Sequence, residues 1–142
     1  MAFVLPDPST EFGGRVARRL AEEPLAWLTV VDRAGRPQPS PVWFLWDGDT
    51  ALIYSRADAK RLEHVRAKPG VALHLDGNGQ GGDIVVLTGD VEIVTGLPPA
   101  HENPGYLAKY GERIEGGWPS AENFASIYSV PMLVRPRRVR GY

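Results

Sequence analysis

Two prolines, Pro39 and Pro41, stand inside an otherwise unbroken aromatic β run from Gln38 to Trp46. They hold the strand extended and withhold two backbone donors. Two uses of such a strand stay open: a flat, dry wall whose remaining N–H groups face the heteroatoms of a ring, or a sheet edge that prolines protect from aggregation. Asp47-Gly48-Asp49 turns it into a second strand, Thr50 to Ser55, followed at once by Arg56-Ala57-Asp58-Ala59-Lys60-Arg61. Asp58 reads as an N-cap, with Leu62 and Val65 as the apolar stripe of a short helix. Lys60 and Arg61 then fall in the first turn, where the helix dipole disfavours cations and free N–H groups favour an anion. The alternative is a basic, solvated helix face. Alternation sends Phe44 to the face opposite Trp43.

A chain of 142 residues, 43% hydrophobic and 23% charged, is expected to fold as a single domain over residues 1–142, with residues 1–8 a flexible arm. A net charge of -1 gives no global pull toward nucleic acid or an anionic membrane. The absence of cysteine excludes disulfides, thiolate metal sites and a Cys nucleophile. No apolar run approaches a membrane span, and Met1–Pro6 lacks the features of a signal peptide, so a cytoplasmic location is expected.

The pattern predicts a helix with Pro8 in its first turn and Phe12, Val16 and Leu20 on one face, closed by Pro24. Strands follow at Ala26–Val31, Gln38–Trp46, Thr50–Ser55, Val71–Leu75, Asp83–Val94 and Val130–Tyr142. Gly89 suggests a bulge in the fifth, and Pro136 demands an edge or a bulge in the last. The Gly77–Gly82 loop either lets backbone approach a ligand closely or is a plain turn, the turn being favoured, and the segment 97–128 reads as an irregular helical insert. Six β segments with short antiparallel links favour a small barrel or sandwich, of the mainly β (α+β) class.

Taken in order, Gly35–Phe44, Tyr54-Ser55-Arg56, Lys60-Arg61-Leu62 through Lys68-Pro69, the Gly89-bearing strand and the closing Val139-Arg140-Gly141-Tyr142 resemble the flavin- and deazaflavin-binding split β-barrel proteins, the pyridoxamine-phosphate-oxidase-like superfamily. The likeness is nearest to its short members that use the deazaflavin coenzyme F420. It implies a six-stranded antiparallel split barrel of Greek-key type, a homodimer, and a cofactor at the subunit interface: coenzyme F420, with FMN as the alternative. It places Ser55, Arg56, Lys60 and Arg61 on the phosphate, and Gln38, Ser40, Pro41, Val42 and Trp43 along the tricyclic ring. The loop at Gly77–Gly82 and the Tyr106–Tyr128 part of the insert, with Tyr110, Trp118 and Tyr128, would border the partner's site. Arg61 replaces the family's usual lysine but keeps the charge and adds a forked donor. His64 replaces a common asparagine.

No protein nucleophile or catalytic residue stands out, and His64, His74 and His101 lack metal-ligand spacing. That suits hydride transfer from a reduced cofactor to a small unsaturated or conjugated substrate, with a proton from solvent or a pocket tyrosine. A non-catalytic flavin or F420 carrier is a second reading. Nucleic-acid binding through Arg135, Arg137, Arg138 and Arg140 is a third, disfavoured by the near-neutral charge.

Overall fold

The computed structural model describes residues 5–142. Of the arm expected over residues 1–8, residues 1–4 lie outside the described residues, while Leu5 packs against the main core and the Asp7 carbonyl accepts from the Thr10 N–H. Helix α1 (Glu11–Glu22) starts at Thr10, whose hydroxyl accepts from the Gly13 N–H at 3.0 Å, so Pro8 belongs to the preceding turn rather than to the helix. Its face of Phe12, Val16 and Leu20 packs on the main core. Arg19, 8% exposed, pairs with Glu23 at 3.0 Å and donates to the carbonyls of Asp76 and Asp83. That clamps α1 to the Gly77–Gly82 loop, which Asn78 Oδ1 closes on itself by accepting from the N–H groups of Gln80 and Gly82.

Strands β1 (Ala26–Val31), β2 (Pro37–Val42), β3 (Leu45–Trp46), β4 (Ala51–Ser55), β5 (Gly70–His74), β6 (Val85–Ile93) and β7 (Val130–Gly141) form one antiparallel sheet in the order β2-β1-β5-β6-β7-β4-β3. There are seven strands, not the six expected, because the run Gln38–Trp46 breaks at Trp43-Phe44. Those two residues carry the chain from one edge of the sheet directly to the other. The sheet therefore curls into a half-barrel whose edges are joined by covalent chain and not by a ladder.

Side chains from the insert hold this corner. The Phe44 N–H donates to the Tyr110 hydroxyl at 2.8 Å, and the Phe44 carbonyl accepts from Lys109 Nζ at 2.7 Å. Buried backbone groups must find partners, and here helix α3 (Pro104–Gly117) supplies what a neighbouring strand would have given. Alternation still holds through the corner: Phe44 is fully buried in the main core, and Trp43 faces a second, aromatic cluster.

Gly89 and Pro136 meet opposite each other at the register shift after Thr88. A Cβ on Gly89 would lie 2.1 Å from the Arg135 carbonyl oxygen, so only glycine lets the strands approach there. The bulge also explains how Pro136 sits in an interior strand: the ladder is already broken where its N–H is missing.

Beyond the sheet, α2 (Arg61–Ala67) packs Leu62 and Val65 into the main core. The insert folds as a 3₁₀ turn (Ala100–Glu102), α3, which ends at Gly116-Gly117, and α4 (Ala121–Ile127), with Pro119 between the two helices. Tyr106, Tyr110 and Ile114, one helical turn apart along α3, join Tyr54 and Phe124 in the second cluster.

Candidate functional site

A cavity of about 350 Å³ opens between the ends of β2 and β4, the start of α2 and the insert. Pro41, Val42 and Trp43 form one wall, Ile53 through Arg56 a second, and Tyr106, Trp118, Phe124 and Tyr128 a third. Ala59 and Arg61 close it near α2. Trp43 stacks on Tyr110 with centroids 4.6 Å apart and planes 1° from parallel, and Trp118 meets it edge-on at 5.6 Å. Such pairs add about 0.5–1.5 kcal/mol each beyond area burial, which gives this wall a fixed shape.

The cations around the cavity are not equivalent. Arg56 is exposed and paired with Asp58 at 3.1 Å, which holds the Asp58 carboxyl below its ordinary range. Asp58 is thus an ion-pair partner and not the N-cap of α2; that position belongs to Lys60, in helical conformation and without a side-chain cap. The N–H groups of Leu62 and Glu63 are already taken by the carbonyls of Ala59 and Lys60. Lys60 points to solvent and does not line the cavity. Arg61 does line it, half-buried, and among the described residues no carboxylate lies within 4.0 Å of it. Burial pulls its guanidinium below its ordinary value, against the opposing pull of Tyr128.

Of the site residues expected from the sequence, Pro41, Val42, Trp43, Ser55, Arg56 and Arg61 converge on the cavity. Gln38, Ser40 and Lys60 are not part of its lining. Gln38 is exposed and donates to Asp32 Oδ2 at 3.1 Å. The idea that β2 offers spare N–H groups also needs revision. In its ladder with β1, Pro37, Pro39 and Pro41 face Val31, Thr29 and Trp27, alternating with Gln38, Ser40 and Val42. Prolines cannot donate, so theirs are the non-hydrogen-bonded pairs and the N–H groups of the other three point to β1. The free edge of β2 therefore presents carbonyls and no donors.

Leu25, Ile53, Tyr54, Ala59, Tyr106 and Phe124 complete the lining and were not anticipated as site residues. Tyr106 and Phe124 could have been suspected from helical spacing within the insert. The C-terminal arginines sit elsewhere, and two are neutralised across strands: Arg135 by Glu92 at 3.2 Å and Arg137 by Asp90 at 2.6 Å. Among the described residues no cluster of His, Asp and Glu could hold a metal ion, and no helix is long and apolar enough to cross a membrane.

No curated protein matches the sequence significantly. Among solved structures, one described as an F420 reductase is 24% identical, with a TM-score of 0.67 over 87% of this chain and 94% of that one. HutZ, the heme storage protein of Vibrio cholerae, is 11% identical, with a TM-score of 0.64 over 93% and 95%. A FAD-binding protein of Mesorhizobium loti is 20% identical, with a TM-score of 0.59 over 87% and 88%. These likenesses establish a shared fold. Residues 12–138 match the family profile described as pyridoxamine 5'-phosphate oxidase, and the chain accordingly belongs to that family, within the split-barrel superfamily.

Proposed function

We propose that the protein is an oxidoreductase that binds coenzyme F420 in this cavity and passes a hydride to a small unsaturated or conjugated organic substrate. The observation that carries the reading is Arg61: a half-buried guanidinium, without a carboxylate partner among the described residues, at the end of an aromatic cavity. Desolvating a cation without pairing it costs free energy, and a bound anion offsets that cost. A phosphate suits the guanidinium fork, and the wall of Pro41, Val42 and Trp43 suits a flat ring. The residues present therefore fit a phosphate-bearing tricyclic cofactor.

When bound, the reduced deazaflavin supplies the hydride chemistry, and the protein supplies position and electrostatics. Arg61 holds the anionic tail, with Arg56 at the rim already shared with Asp58. Trp118 and Phe124 exclude water from the apolar side. No side chain is assigned as a covalent catalyst. The similarity to an F420 reductase supports the coenzyme, and that to a FAD-binding protein keeps a flavin such as FMN as the competitor.

The working unit in this proposal is a homodimer with its sites near the subunit boundary. Pro37, Gln38 and Pro39 are exposed on the same strand whose far end lines the cavity, and the donor-free edge of β2 favours contact through sheet faces over strand addition. The test is to add F420 and FMN separately to the purified protein, follow the absorption spectrum, then assay the reduced complex against enones and quinones. Binding and turnover with F420 are expected. Tight FMN binding with none of F420 would reject the coenzyme, and binding without turnover across the panel would point to a carrier.

A further inference from the structure

Tyr106, in the first turn of α3, is 1% exposed and lines the cavity. Its ring is fixed edge-on to Tyr54 at 4.8 Å and tilted against Tyr110 at 4.8 Å. Its N–H donates to Asn103 Oδ1 at 3.1 Å, while Asn103 Nδ2 donates to the Tyr54 hydroxyl, also at 3.1 Å. One side chain thus caps α3 and ties two cavity-lining tyrosines together. The Tyr54 hydroxyl is used, donating to the Pro98 carbonyl at 2.8 Å, and the Tyr110 hydroxyl is used at the Phe44 corner.

The Tyr106 hydroxyl is different. Among the described residues it has no hydrogen-bond partner, and it is not one of the fully sealed polar atoms. The residue itself lines the cavity, whose interior is the open space beside it. Buried hydroxyls are rarely left unpaired without a reason. Burial and the neighbouring tyrosines push its phenol far above the ordinary value, so it keeps its proton and remains a donor. The cationic groups of the lining, Arg61 and Arg56, select for negative charge, whereas the side chains packed around Tyr106 are aromatic.

We infer that the Tyr106 hydroxyl donates a hydrogen bond to a conjugated ring carbonyl of the planar ligand that fills the cavity. The inference rests on the redox reading for the identity of that ligand. Such a carbonyl is found both on the tricyclic ring of a flavin or deazaflavin and on a quinone-type substrate, and the experiment separates these sources.

Wild type and Tyr106→Phe are titrated with menadione, with FMN and with F420 by tryptophan fluorescence, and the infrared carbonyl stretch of each bound ligand is recorded. The variant keeps the ring packing and loses only an unpaired hydroxyl, so the thermal midpoint of the free protein should not fall. Affinity should drop about tenfold for the ligand that uses the bond, and its carbonyl stretch should move to higher wavenumber. Loss with FMN or F420 assigns the bond to the cofactor ring; loss with menadione alone assigns it to the substrate. A wild type that takes menadione with a shifted carbonyl but takes neither cofactor upholds the role of Tyr106 and overturns the coenzyme reading. Unchanged affinity and carbonyl frequency in the variant for every probe, or no probe bound by the wild type, overturns the inference.

Discussion

The Tyr110 hydroxyl sits 2.8 Å from the Phe44 backbone nitrogen and 2.9 Å from the Phe44 carbonyl oxygen, clasping a single residue from both sides. It accepts from the first and competes to donate to the second with the Pro24 carbonyl, 2.8 Å away. Phe44 is where the sheet passes from one edge to the other, so a hydroxyl from the insert stands in for the missing strand. Tyr110→Phe leaves that buried N–H unpaired and should cost about 1–3 kcal/mol. The urea midpoint measures it; an unchanged midpoint would mean that the corner holds itself.

Two glycines should respond in opposite directions. Gly89→Ala forces a Cβ to within 2.1 Å of the Arg135 carbonyl oxygen and should destabilise by about 1–3 kcal/mol. At Gly111, inside α3, a Cβ meets nothing within 4 Å, so Gly111→Ala should stabilise by about 0.5–1 kcal/mol. Paired denaturation curves check both, and equal effects would contradict the packing at the bulge.

Lys109 gives a pH signature. Burial against Phe44 pushes its ammonium from 10.5 down to about 8, against a smaller opposing pull from Glu23. Between about 8 and 10.5 the unfolded chain binds the proton that the native state has released, so this group raises stability as pH rises through that window. Tyr110 works the other way: burial pushes its phenol from 10.0 up to about 12, so from pH 10 upward the unfolded chain loses a proton that the native state keeps, and stability falls. Relative to Lys109→Met, the wild type should gain stability from pH 8 to 10. A constant difference between the two proteins over that range would refute the shift.

Local patterning made much of the fold readable. The Phe12, Val16, Leu20 face, the opposite fates of Trp43 and Phe44, and the irregularities at Gly89 and at Pro136 follow from short-range period and backbone chemistry; that these two residues face each other does not. The break at Trp43-Phe44 did not, because β character continues through it and the groups that satisfy it stand 65 residues away on α3. Register was equally invisible, and with it the fact that β1 consumes the donors of β2. Asp58 looked like a cap because its spacing was right; a nearer cation, Arg56, claimed it instead. At the site, Arg56 and Lys60 read like Arg61, and only burial and pairing single out Arg61.

Calorimetric titration of F420 and FMN into the wild type, Arg61→Ala and Lys60→Ala tests the phosphate grip most directly. An exposed lysine contributes little, whereas a half-buried guanidinium on a phosphate contributes about 1.5–3 kcal/mol, or at least tenfold in affinity. The wild type should bind one of the two cofactors, Lys60→Ala should bind it nearly as well, and Arg61→Ala should fold normally yet bind at least tenfold more weakly. Full affinity in Arg61→Ala, or no binding of either cofactor by the wild type, would contradict the account.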